Sequence, residues 1–205
     1  MTLALIFLVY VKSLPFMLLV WSMWFLADTD AERTEMRERL TAILLATIPI
    51  IAATRVLADT LPFVKRPIHD ERYEANVVGS EATLDGWSSM PSDHASVFFA
   101  LAVSLFLVDR RYGSFALFWT TFIVCLPRLM VGYHWMSDIL GGAALGIGFA
   151  VIMVPTLTRL LRQMGTIPYL EARGYIAYPL LFLATFEIAN VFAISRITFS
   201  ILFAG

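Results

Sequence analysis

Three short segments in the middle of the chain carry histidine, arginine and carboxylate side chains at close spacing. They are Lys65-Arg66-Pro67, Pro91-Ser92-Asp93-His94, and Arg128 with His134 and Asp138. His134 and Asp138 are four residues apart, so on a helix they share one face and the carboxylate can hold one imidazole nitrogen. The other nitrogen is then available as a nucleophile, and His94 can act as a general acid because an unperturbed imidazole has a pKa of about 6.5.

The remaining side chains of these segments suit a phosphate group. Ser92 and Asp93 are expected at a helix start, where unpaired amides and the helix dipole favour an anion. Arg66 and Arg128 each offer a planar fork of donors to phosphate oxygens, and Lys65 adds a point charge. The set predicts transfer of a phosphoryl group onto a histidine.

Composition indicates that these residues belong to a membrane protein. The chain has 205 residues, of which 59% are hydrophobic and only 15% charged, and its mean hydropathy is +0.76. A water-soluble domain carries about 25% charged residues, so much of this surface is expected to meet lipid. A net charge of −1 excludes a nucleic-acid partner. Cys125 is the single cysteine, which excludes an internal disulfide or a thiolate metal cage.

Apolar runs between charges and turn residues predict the fold. A membrane-spanning helix needs about 20 apolar residues, and the chain offers six such runs, which predict an all-α, six-transmembrane-helix bundle. Residues 1–205 form one domain, with a long loop at about 59–91, and nothing in the sequence indicates an oligomeric state. The predicted spans are Leu3 to Ala27, Leu40 to Ala58, Ser92 to Val108, Phe115 to Val131, Trp135 to Leu157, and Tyr175 to Phe203.

Small residues in the fifth span predict a close helix contact. Gly142, Gly146 and Gly148 follow the spacing that lets membrane helices approach each other. We interpret them as packing residues without a chemical role.

Basic residues outside the spans predict the orientation, because cytoplasmic loops are enriched in them. Eight arginines fall on one side, which we expect to be cytoplasmic: Arg33, Arg37, Arg39, Arg110, Arg111, Arg159, Arg162 and Arg173. The long loop and all three histidines then face outward, into a periplasm or other extracytoplasmic space, and a prokaryotic inner membrane is the expected location. The third histidine, His69, is expected to be solvated.

The three segments resemble the signature motifs of the type 2 phosphatidic acid phosphatases, a superfamily that includes integral-membrane lipid phosphatases. Arg66-Pro67 matches the end of the first motif, a lysine, six residues and Arg-Pro. Residues 91–94 match the second, Pro-Ser-x-His. Arg128, His134 and Asp138 match the third, Ser-Arg, five residues, His, three residues, Asp. The resemblance covers residues 66 to 138.

The resemblance implies a residue-by-residue mechanism. His134 corresponds to the nucleophile that forms a phosphohistidine, Asp138 to the residue that orients it, and His94 to the acid for the leaving group. Arg66, Arg128, Ser92 and the amides near Asp93 correspond to the phosphate cradle. It implies no cofactor and no metal.

Two motif positions differ. Asp59 replaces the lysine expected seven residues before Arg66, and Pro127 replaces the serine before Arg128. An acid in place of a cation weakens binding of a phosphate dianion unless another cation compensates. Arg55, one helical turn before Asp59, and Lys65 are the two candidates.

Three other functions fit parts of the pattern. His94, His134 and Asp138 would make a two-histidine, one-carboxylate metal site, but that leaves the two arginines unexplained. A transporter or an inactive family member would use Lys12, Asp59 and Glu187 as charges within the membrane. A phosphotransferase would use the same histidine and pass its phosphate to a lipid or sugar.

The sequence therefore predicts an enzyme that hydrolyses the phosphate monoester or pyrophosphate of a membrane lipid. The candidate substrates are polyprenyl pyrophosphate, phosphatidic acid, phosphatidylglycerol phosphate and a lipid A phosphate. The bilayer and the lipid substrate are the expected partners.

Overall fold

The computed structural model describes residues 12–71 and 86–191, and no strand occurs in this part of the chain. Seven helices form the described part of the fold. They are α1 (Leu14–Phe25), α2 (Asp30–Thr60), α3 (Asp93–Val108), α4 (Arg110–Met130), α5 (Met136–Gln163), α6 (Thr166–Glu171) and α7 (Gly174–Ala189). The predicted all-α class is confirmed for the described residues.

The long helices extend well beyond the predicted spans. A capping box starts α2, in which the Glu32 amide donates to Thr29 Oγ1 and the Thr29 amide donates to the Glu32 carboxylate. Helix α2 therefore begins ten residues before Leu40, the predicted start of the second span. Apolar periodicity marks only the part of a helix that meets lipid or core, so this charged first section was missed.

Three helices, α2, α4 and α5, are long and apolar enough to cross a membrane, which is compatible with a membrane protein. The apolar helices α1, α3 and α7 are shorter, at 12, 16 and 16 residues. The first predicted span before residue 12 and the last after residue 191 lie outside the described residues. The count of six spans stays a prediction.

Helix α3 lies at the centre of the bundle and packs against α2, α4 and α5. Two glycines on α5 allow the closest approach. A Cβ added at Gly142 would lie 2.6 Å from the Ser92 carbonyl oxygen, and one at Gly146 would lie 2.0 Å from that of Ser96. Gly148 has no neighbour of this kind within 4 Å, so the predicted packing role holds for two of the three glycines. The contact brings the first turns of α3 and α5 together.

Ion pairs join the helices at the opposite end of the bundle. Arg37 of α2 pairs with Glu171 of α6 at 2.7 Å, and Arg162 of α5 pairs with Glu38 of α2 at 2.8 Å. The start of α2 therefore meets the end of α5. The end of α2 and the start of α5 lie together at the other end, where the predicted site residues are.

Candidate active site

Three segments meet where α2 ends and where α3 and α5 begin. The Ile68 amide donates to the Gly132 carbonyl at 2.9 Å, the Ser89 amide to Val64 at 2.8 Å, and the Ser92 amide to Asp138 at 3.1 Å. The turn between α4 and α5 needs a left-handed residue, which Gly132 supplies with φ of 73°. The structure thus brings together the segments that carry Arg66, Ser92 and His134.

The imidazole of His134 is held in one tautomer by a backbone carbonyl. Its Nδ1 lies 2.9 Å from the carbonyl oxygen of Ser89. Because a carbonyl can only accept, Nδ1 must carry a hydrogen, and in a neutral ring Nε2 is then unprotonated. Arg66 Nη1, which can only donate, lies 3.4 Å from that Nε2. The ring therefore presents a lone pair beside a guanidinium.

Asp138 lies directly beside this histidine, as the sequence predicted, and it also holds the groups around the ring. Its Oδ2 lies 3.6 Å from His134 Nδ1, which is beyond hydrogen-bond distance. The same oxygen accepts hydrogen bonds from the Ser89 hydroxyl and, at 2.7 Å, from the Trp135 amide. Asp138 is completely buried. The carboxylate thus fixes Ser89, whose carbonyl fixes the imidazole.

Burial lowers the pKa of His134 below the ordinary value of imidazole. The Asp138 carboxylate opposes this shift, whereas the positive charges of Arg66 and Arg128 add to it. With its pKa lowered, His134 is neutral at neutral pH. The nucleophilic form therefore needs no prior loss of a proton.

Arg66 lies beside the His134 ring, and its Nε has no acceptor among the described residues. Its Nη1 donates to the Tyr133 carbonyl at 2.7 Å, and its Nη2 to the Ser88 carbonyl at 3.3 Å. Its Nε is buried and has no hydrogen-bond acceptor within the parts of the chain that the structure describes. Burial lowers the pKa of Arg66, but arginine remains charged at neutral pH. A buried donor on a charged group is a ready ligand for an anion.

Arg128 is buried at the end of α4 and shapes the turn that carries His134. Its Nη1 donates to the Val124 carbonyl at 2.7 Å. Its own carbonyl oxygen accepts from the amide of Tyr133 at 2.9 Å and from that of His134 at 3.4 Å. Backbone and side chain of Arg128 therefore both contribute to this end of the bundle.

Ser92 and Asp93 start α3 as predicted, but their groups already have partners. The Ser92 hydroxyl accepts from the Ala95 amide at 3.4 Å, and the Ser92 amide donates to the backbone carbonyl of Asp138. Asp93 forms an ion pair with Arg55, whose Nε lies 3.2 Å from Oδ1. The Arg55 guanidinium also lies over the Trp87 ring, 5.2 Å from its centroid. Arg55 thus reaches the segment that contains the second motif.

The two candidates for the missing lysine differ in their positions. Arg55 lies beside Asp93, whereas Lys65 is exposed, and its carbonyl oxygen accepts from Trp135 Nε1 at 2.8 Å. Asp59, in the last turn of α2, is exposed. His69 is not solvated as expected, since its Nε2 is buried. Of the two candidates, Arg55 is therefore the one that contacts the second-motif segment.

His94 lies in the first turn of α3 and contacts Lys12. Its Nε2 is 2.9 Å from Lys12 Nζ, and its ring stacks on Phe98. Among residues 12–71 and 86–191, no three His, Cys, Asp or Glu side chains are close enough to hold a metal ion together. The described structure therefore does not bring His94, His134 and Asp138 together as a ligand set.

Four contributors to this site were not predicted from the sequence. Ser88 and Tyr133 act through backbone carbonyls, which leave no residue-type signal. Ser89 acts through its carbonyl and also through its hydroxyl. Lys12 acts from the start of the chain, and its only sequence signal is a charge inside an apolar run. A buried charge of this kind is the one feature that could have identified it.

The comparisons with known proteins identify a family for this chain. A family model described as the PAP2 superfamily matches residues 39–162, which include all the predicted site residues. Comparisons with curated proteins and with solved structures give no significant match. The match covers more than half of the chain and confirms the family resemblance that the three motifs indicated. The chain belongs to the PAP2 superfamily, whose members are generally phosphatases that act on phosphate esters.

Proposed function

We propose that the protein removes the terminal phosphate from a membrane lipid through a phosphohistidine at His134 Nε2. The observation that carries this proposal is the state of the His134 ring. Its Nδ1 is committed to the Ser89 carbonyl, and its unprotonated Nε2 lies 3.4 Å from Arg66. A lone pair beside a buried guanidinium suits attack on phosphorus, because the arginine neutralises the oxygens of the same phosphate.

The reaction has two steps. In the first, Nε2 of His134 attacks phosphorus, the bond to the lipid oxygen breaks, and that oxygen takes a proton delivered by His94. In the second, water attacks the phosphohistidine, its proton returns to His94, and the electrons of the P–N bond return to Nε2. Asp138 acts through Ser89 by stabilising the ring when phosphorus makes it cationic.

The protein's own cations supply the charge compensation that such a reaction needs. Among the described residues, the charges of Arg66, Arg128 and partly buried Arg55 outnumber those of the nearby carboxylates, Asp93 and Asp138. An unbalanced group of buried cations is costly by itself and is stabilised by a bound dianion. This arrangement supports catalysis without a metal cofactor.

A lipid substrate is supported by the apolar side chains around the site. Large hydrophobic side chains at the end of α2, in residues 61–63 and 86–92, and at the junction of α4 and α5 are strongly exposed. They are Leu61, Phe63, Trp87, Met130 and Met136. Exposed apolar groups at the ends of membrane helices mark the interface where lipid headgroups lie. The substrate class is thus polyprenyl pyrophosphate, phosphatidic acid, phosphatidylglycerol phosphate or a lipid A phosphate.

Phosphate release by the purified protein tests this function. The protein in detergent is given each of the four lipid classes with a metal chelator present. We expect release of inorganic phosphate from at least one lipid. Folded protein that releases none from the panel would contradict the proposal, and phosphate found on an added lipid or sugar acceptor would identify a phosphotransferase.

Arg55 is proposed to replace the motif lysine as a phosphate ligand. Replacing Arg55 with alanine is expected to raise KM by about tenfold with a smaller effect on kcat, because one charge-assisted hydrogen bond contributes about 1.5 kcal/mol or more. Adding Asp59→Lys to this variant restores the motif and is expected to recover most of the loss.

Steady-state kinetics of the single and double variants measure this effect. Lys65→Ala, at the other candidate cation, is the comparison variant. A larger rise in KM for Lys65→Ala than for Arg55→Ala would assign the compensating role to Lys65 instead.

The site is proposed to face outward, opposite the arginine-rich end. A cysteine placed at exposed Glu71 is expected to react with a membrane-impermeant maleimide in intact cells, because it lies on the same side as the site. A cysteine at exposed Arg111, on the other side, should react only after the membrane is opened. Native Cys125 is buried, so it gives little background. The opposite labelling pattern would invert the orientation.

A further inference from the structure

Lys12 is a buried lysine that contacts the expected acid of the reaction. Its Nζ lies 2.9 Å from Nε2 of His94, and only 7% of the residue is exposed. Its backbone is anchored by Trp119, whose Nε1 donates to the Lys12 carbonyl at 2.8 Å. One turn later, Phe16 packs edge-on against Phe98, the residue on which His94 stacks. The contact is therefore held by the packing of α1 against α3 and α4.

A hydrogen bond between these two nitrogens contains a single proton. An ammonium and an imidazolium cannot bond through Nζ and Nε2, since both atoms would be donors. Either Lys12 is charged and Nε2 accepts, or Lys12 is neutral and Nε2 donates. In the first arrangement, the pair carries one positive charge and the ring hydrogen of His94 is on Nδ1. His94 in this contact is therefore not an independent imidazolium.

We propose that Lys12 is a positioning residue that makes the Lys12–His94 pair the proton donor to the leaving group. This inference rests on the proposed phosphatase function and adds to it a residue outside the three motifs. Lys12 contacts Nε2 of His94, and we assign proton transfer to the lipid oxygen to the other ring nitrogen, Nδ1. Lys12 holds the ring in that orientation and replaces the proton it gives up.

The Lys12–His94 pair has the same number of protons at the beginning and the end of one turnover. As the P–O bond breaks, the hydrogen on Nδ1 moves to the lipid oxygen and the proton of Lys12 moves to Nε2, which leaves the pair neutral. When water attacks the phosphohistidine, its proton moves to Nδ1 and the Nε2 proton returns to Lys12. The pair then carries its original single charge.

Other charged groups at this end of the bundle act on the same pair. Asp93 lies next to His94 on α3 and is paired with Arg55 of α2. The loop after α2 contributes Arg66, α4 contributes Arg128, and the start of α5 contributes Asp138. A test must therefore change Lys12 while these groups stay in place.

The pH dependence of kcat separates this role from a structural one. Two bases that share one proton hold it more tightly than either base does alone. The pair is therefore expected to act as an acid above the pH of about 6.5 at which a lone imidazole loses its proton. In Lys12→Met, the basic limb of the kcat profile is expected to move to lower pH by at least one unit. The acidic limb of kcat/KM, set by neutral His134 with its lowered pKa, lies below about 6.5 and should not move.

Trp119→Phe provides a matched control. It removes the hydrogen bond that anchors the Lys12 backbone but removes no titratable group. It is therefore expected to lower kcat by the same factor at every pH, without moving either limb of the pH profile. Lys12→Arg keeps the positive charge and a donor but does not release a proton near neutral pH. It is expected to lower kcat at least tenfold with KM nearly unchanged, and it tests the proposal even if Lys12→Met fails to fold.

The outcomes are distinct. Suppose that the wild-type protein is active. If the basic limb does not move in Lys12→Met, or if Lys12→Arg has the wild-type kcat, the role of Lys12 is overturned and the phosphatase function stays intact. Wild-type protein without phosphatase activity would instead overturn the proposed function, on which this inference depends.

Discussion

Replacing His134 with alanine is expected to lower kcat for phosphate release by about 10⁴-fold or more. The substitution removes Nε2, the only proposed nucleophile. Arg66, Arg128 and the backbone around Ser89 remain, so binding of inorganic phosphate should be nearly unchanged. Single-turnover kinetics with a lipid phosphate, together with phosphate binding by calorimetry, measure the two effects separately.

His69→Gln is the matched control for this variant, because it removes another partly buried histidine from the same end of the bundle. We expect it to retain activity within a few-fold of wild type. Phosphate release by His134→Ala at the wild-type rate would refute the assignment of the nucleophile, whatever the control shows.

Replacing Asp138 with asparagine is expected to lower kcat by about 10²- to 10⁴-fold while KM stays within a few-fold. The amide can still accept one hydrogen bond from Ser89 or Trp135, so the fold is preserved. It carries no negative charge to stabilise the imidazole once phosphorus is attached to Nε2. The loss therefore falls on the chemical step, and a kcat–KM comparison detects it.

Ser89→Ala tests the route by which this carboxylate acts. The variant keeps the Ser89 carbonyl that holds His134 Nδ1 but removes the hydroxyl that bonds Asp138. We expect a kcat loss smaller than that of Asp138→Asn and in the same direction. If kcat were unchanged in Asp138→Asn, Asp138 would have no part in the mechanism.

The helices that carry the site residues are predictable from the sequence, because motif spacing and hydropathy depend on residues close together in the chain. The spacing of His134 and Asp138 predicts that both lie on one helix. In the structure only Asp138 lies in α5, because the helix begins at Met136 and His134 precedes its N-cap, Trp135. The helix start at Ser92 was signalled by its capping side chain. Helix lengths were less predictable, since the charged beginning of α2 has helix-capping signals but no apolar periodicity.

The partners of the site residues were less predictable, because they depend on the packing of distant segments. The sequence predicts the Asp138 carboxylate beside the His134 imidazole, and the fold places it there at 3.6 Å. The hydrogen bond of Nδ1, however, goes to the Ser89 carbonyl, which the sequence does not predict. Such carbonyl contacts are independent of side-chain type. The Lys12–His94 contact joins residues 82 positions apart, and no local pattern links them.

Trapping of the phosphorylated protein tests the central claim most directly. The wild-type protein is mixed with a lipid whose terminal phosphate carries ³²P, quenched within one turnover in alkali, where phosphohistidine survives, and mapped by peptide mass spectrometry. We predict label on the peptide that contains His134, its loss on brief acid treatment, and no label in His134→Ala. Phosphate release without any labelled protein, or label that persists in His134→Ala, would contradict the account.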